Sequence, residues 1–116
     1  MIQTGFEKTE EELLQERAEV LRHAGCALQD ALQVLHEIGR DIETGCDTLK
    51  RCTGSPAKGL REEIGEQVGR FNEQRAYAKL RYYYLVVIRE ALGLRNHAWI
   101  EEIYTIPAKK TLDEQI

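Results

Sequence analysis

Arg89, Glu90, Arg95, Asn96, His97, Trp99 and Tyr104 crowd around Gly93 and make the densest set of chemically capable side chains in this chain. One chemistry fits them directly. If Asn96 starts a short helix, the free N–H groups of its first turn, with Arg95 and His97 beside them, offer positive potential to a carboxylate or phosphate. A plainer reading uses the same residues as a docking corner. Arg89 and Glu90 tie the short helix down, His97 is a satisfied surface residue, and Trp99 is core. The second reading is preferred: Arg89, Glu90, Arg95, Asn96, His97 and Tyr104 are taken as an interaction corner with no catalytic role.

Other spacings give less. Cys26 lies three residues after His23 on one helix face, but it neighbours an apolar seam, where cysteine behaves as a small hydrophobe. Catalysis needs a nucleophile, a base and a group to orient the base, and no such set is present. There is no C-x-x-C, H-x-x-x-H or H-E-x-x-H. The residues three before His23, His36 and His97 are Val20, Gln33 and Leu94, so the Glu-x-x-His element of di-iron bundles is missing as well. Glu62/Glu63 and Glu101/Glu102 read as solvated faces, and no Gly-rich phosphate loop occurs. No enzyme, metal or cofactor is expected. One nucleic-acid feature remains: projected at 100° per residue, Arg70, Arg81 and Arg95 share a stripe with Tyr77 that could meet phosphates and stack bases.

The elements that must position these residues are written in heptads. Leu14, Leu21, Leu28, Leu35, Ile42 and Leu49 step by seven with no polar residue among them, and Ala24, Ala31 and Ile38 add a smaller second row. Such a seam faces one partner helix along its whole length. It predicts a helix over about 9–52, with Thr9 as N-cap and Glu10, Glu11 and Glu12 in the favoured first turn. Gly25, Gly39 and Gly45 interrupt it without shifting the heptad phase. Continuity is expected, with an early end at Gly39 or Gly45 as the alternative.

Thr53-Gly54-Ser55-Pro56 is the break, with Ser55 as cap and Pro56 in a first turn. After a loop at 53–59, a second helix over about 60–92 carries Ile64, Phe71, Ala78, Leu85 and Leu92, again seven apart. Gly93 stops it, in a left-handed conformation. A short helix follows at about 97–104, and beyond Pro107 the segment 108–116 is expected to be loose.

Two stretches resemble a known kind of protein. REALGLRNH at residues 89–97 with YTIP at 104–107, and ERAEVLRHAG at 16–25, are similar to segments of a small family of short bacterial helical proteins of unknown function. The resemblance implies a compact helical domain with no assigned activity. It also implies that Arg89, Glu90, Gly93, Arg95, His97, Tyr104 and Pro107 work as a unit.

Composition sets the outer bounds. One domain of 116 residues, 31% charged with two prolines, is in keeping with an all-α chain. The longest uncharged apolar run, residues 82–88, is far short of a membrane span. Residues 1–4 lack a basic and an apolar signal region. With three cysteines, and Cys46 and Cys52 about 240° apart on a helix, free thiols and a cytoplasmic location are expected. The net charge of −4 is uneven: residues 1–52 hold 11 acids and 6 bases, residues 70–97 hold 6 bases and 2 acids. That favours antiparallel pairing of the two helices and weighs against nucleic acid.

The Tyr82-to-Ile88 run covers every side of its helix, so a hairpin alone leaves Tyr83, Val86 and Val87 bare. The expected architecture is therefore a long antiparallel hairpin with a short C-terminal helix, paired as a homodimer into a four-helix bundle. The expected function is that of a non-enzymatic helical interaction or assembly protein. The alternative is a nucleic-acid-associated regulator using the basic stripe of the second helix.

Overall fold

The computed structural model describes the backbone from Gly5 and side chains from Thr9 to the end of the chain, so the reading of residues 1–4 lies outside the described residues. Four helices occur in order: α1 Gly5–Arg51, α2 Ser55–Ala91, α3 Ala98–Ile103 and α4 Leu112–Gln115, with no strand among the described residues. The first two form the predicted hairpin, and the molecule measures 80 × 24 × 17 Å.

The heptads predict the core well. Leu28, Leu35 and Ile42 of α1 and Ile64, Phe71, Ala78 and Leu85 of α2 are buried, with Ala31 and Ile38 beside them. Each large side chain so buried contributes about 1.5–3 kcal/mol. The α1 glycines mark where α2 comes closest. A Cβ on Gly45 would stand 3.2 Å from Ile64 Cγ1, and one on Gly39 would stand 3.5 Å from Phe71. At Gly45 the missing side chain leaves room for Ile64, while at Gly39 a Cβ would make ordinary contact with Phe71.

Element ends differ from expectation in three places. Thr9 is inside α1, which begins by Gly5; nothing in Phe6, Glu7 or Lys8 breaks a helix, so the glutamates occupy its second turn. The second helix starts at Ser55 rather than near residue 60, with Gly54 at φ 80 as its N-cap and no side-chain cap bond from Ser55. Pro56 presets the first turn, closed by the Ala57 N–H on the Gly54 carbonyl at 3.1 Å, so Gly59 is carried within the helix.

The third difference is the C-terminus, which is a strap rather than a loose tail. The Arg75 Nε–H donates to the Pro107 carbonyl at 2.7 Å. Asn72 grips the backbone of Lys110 twice, donating to its carbonyl at 2.8 Å and accepting its N–H at 2.9 Å. The Lys110 ammonium lies over the Phe71 ring, and Leu112 of α4 packs on the hairpin core beside Gly65. The chain thus returns along one groove of the hairpin and leaves the other open.

A candidate ligand cleft at the second corner

Gly93 builds the corner. Its φ is +85, and two bonds close the end of α2: the Leu94 N–H on the Arg89 carbonyl at 2.8 Å and the Gly93 N–H on the Glu90 carbonyl at 3.0 Å. This is the 6→1 and 5→2 pair that a left-handed glycine permits at a helix end. The turn swings residues 94–97 back across the last turn of α2, and Arg89 is covered as a result.

Arg89 is only 7% exposed, the one charged residue among the buried described residues. Its Nη2 donates to the Asn96 carbonyl at 3.0 Å, and its Nε donates to His97 Nδ1 at 3.3 Å. Its guanidinium carbon sits 5.0 Å from the centre of the Trp99 ring, a cation–π distance. Because Nδ1 accepts, the imidazole hydrogen is on Nε2, which faces Glu90 Oε1 at 3.3 Å. The order is therefore guanidinium to neutral imidazole to carboxylate. Among the described residues no carboxylate pairs directly with Arg89.

Most of the predicted corner comes together, though with different partners. Arg89, Glu90, Asn96 and His97 form one network. Arg95 is exposed and stands outside it. The Asn96 Oδ1 accepts the Ala98 N–H at 3.2 Å, so Asn96 folds the entry to α3 while His97 holds the N-cap position. Neither Arg89 nor Arg95 pairs with Glu101 or Glu102. The alternative reading, an anion site at the start of α3, loses three of its donors, because the Ala98, Ile100 and Glu101 N–H groups are taken locally.

Trp99, expected in the core, stands at the surface, and Val87 is exposed as well. Trp99 is 47% exposed, and Ile100, at 1%, is the residue α3 buries. On a helix this short only one side can face the hairpin, and the pull of Arg89 holds Trp99 at the rim. Burial pushes the Tyr82 phenol above its ordinary range, with the Glu101 carboxylate adding to the shift.

Between α1, the end of α2 and α3 lies a cleft of about 400 Å³, lined by Leu21, Leu85, Arg89, Trp99, Ile100 and Tyr104, with Arg22 and Cys26 also on its wall. The α1 contribution was not legible beforehand. Gly25 faces this wall, where a Cβ would stand 3.5 Å from the Tyr104 hydroxyl, in ordinary contact. Arg22 is held by Glu19, whose carboxyl is kept below its usual value chiefly by that hydrogen bond.

Cys26 is exposed, Cys46 buried and Cys52 half-buried, all as free thiols. His23 pairs with Glu19 at 3.1 Å rather than with Cys26. No cluster of three His, Cys, Asp or Glu that could hold a metal occurs among the described residues. No helix among them is long and apolar enough to cross a membrane.

The arginine stripe is reduced to two members. Arg95 falls beyond the end of α2, leaving Arg70, Arg81 and Tyr77, and Arg81 is committed to Tyr77 by a 2.9 Å hydrogen bond and a stacked guanidinium. Compared with protein-family models, curated proteins and solved structures, the chain matches none, so its functional reading rests on this geometry.

Proposed function

We propose that this chain is a non-enzymatic assembly module that docks through the open groove of its hairpin, first with a second copy of itself, into a four-helix bundle. The observation that carries the reading is the asymmetry of the hairpin. The strap covers one groove, while Val20, Val34, Tyr77 and Tyr84 remain exposed along the other, with Ile88 half-buried among them. A face of this kind, apolar at helical spacing, is what a partner helix pair would cover.

Two further features favour a second copy as the partner. The α1 seam outruns the buried core: Leu14, the first heptad residue, is 61% exposed. On the open side Val20, Ala24 and Ala27 of α1 also meet Tyr84 and Ile88 of α2 around one concavity, so the apolar face spans both helices. An isologous two-fold pairing sets one such face against its copy.

Sedimentation equilibrium at micromolar concentration tests the proposal. The expected mass is twice 13.3 kDa, falling to the single value in Val34→Asp, whose side chain is exposed in the single chain and so spares its fold.

The second reading, nucleic-acid association, is supported by the exposed Tyr77 ring with Arg81 and Arg70 on the same groove. A gel-shift titration checks it: phosphate contacts weaken steeply with salt, and the absence of any shift at low salt removes it.

A further inference from the structure

We infer that the corner cleft is a binding site for a small monocarboxylate with an apolar body, its carboxylate paired with Arg89. Three observations converge. Arg89 lines the cleft, is 93% removed from solvent by its 7% exposure, and has only neutral groups as direct partners. Buried charges in proteins are ordinarily paired with an opposite charge. Here the carboxylate of the network, Glu90, is one imidazole away, and the other arginine on the wall, Arg22, is already paired with Glu19.

The rest of the cleft defines the remainder of the ligand. Leu21, Leu85 and Ile100 form an apolar body, with Tyr104 and the Trp99 ring at its sides. A volume of about 400 Å³ lies in the small-molecule range of about 300–1,000 Å³. With Nε and one Nη2 hydrogen given to His97 and Asn96, the guanidinium keeps its Nη1 hydrogens and the second Nη2 hydrogen for a carboxylate. Leu21, Leu85 and Ile100 disfavour a strongly hydrated polyanion such as free phosphate. The cleft lies on the strap side of the hairpin. It is independent of the open groove, and neither proposal depends on the other.

The single tryptophan of the chain is Trp99, so its fluorescence reports on this cleft alone. Purified protein is titrated with hexanoate, hexanamide and inorganic phosphate. Hexanoate is expected to give a saturable change at millimolar concentration or below, with hexanamide and phosphate giving none in that range. Arg89→Met should weaken hexanoate at least tenfold. Cys26→Phe, which places a ring in the cleft from an exposed position, should abolish binding with an unchanged melting temperature, and it keeps the test decisive if Arg89→Met fails to fold. No saturable response to hexanoate, an equal response to hexanamide, or full binding by Cys26→Phe overturns the proposal.

Discussion

A guanidinium buried as deeply as that of Arg89 destabilises the fold unless its donors are met, and His97 meets one of them. His97→Ala should therefore cost about 1–3 kcal/mol, seen as a lower melting temperature, although the sequence alone reads His97 as a bystander whose loss hardly matters. Gly93 acts through the backbone instead. At φ +85, Gly93→Val should cost about 1–2 kcal/mol, several degrees of melting temperature. Gly59→Ala offers the contrast: it sits inside α2 with open space where its Cβ would go, and it should gain about 0.5–1 kcal/mol. Tyr82 adds a pH signature. Its phenol is harder to ionise folded than unfolded, so the folded state holds its proton longer, and this contribution to stability falls as pH rises above about 10. Tyr82→Phe should flatten that part of the alkaline stability profile in denaturant melts.

At the scale of elements, the two long helices announce themselves because a seam repeating every seven residues can only be buried one way. Leu35 lies fully buried at its centre. Leu35→Asp puts an unpaired charge there and should cost more than about 4 kcal/mol, enough to lose the cooperative far-UV melt. The strap was illegible for a physical reason. Its anchors are side chains of α2 gripping backbone groups, Arg75 on the Pro107 carbonyl and Asn72 on Lys110, and such bonds have no periodicity to read. Pro107 looked like the end of structure, yet its carbonyl is what Arg75 holds. Asn72→Ala should release the strap locally, so amide exchange at Lys110 and in α4 speeds up while the hairpin core stays protected. The corner was half legible. Gly93 and the identities of Arg89, Glu90 and His97 could be found. Their order in the network follows from how the Gly93 turn folds 94–97 over Arg89. The exposure of Trp99 and the α1 wall of the cleft follow from which side of α3 meets the hairpin, which no local pattern encodes.

For the whole molecule, the strap gives the hairpin two unlike grooves. One is closed by the chain's own C-terminus, and the cleft lies at its end. The other leaves Val34, Tyr77 and Tyr84 in solvent. Among the described residues no ion pair joins α1 to α2; an apolar seam holds them together, and an apolar stripe is what a second copy would cover. Sedimentation equilibrium of the full chain beside Val34→Asp is the most direct measurement. The account predicts a dimer at micromolar concentration that becomes a folded monomer with the substitution. A monomer of 13.3 kDa in the unsubstituted chain, or a dimer indifferent to a charge at residue 34, would contradict it.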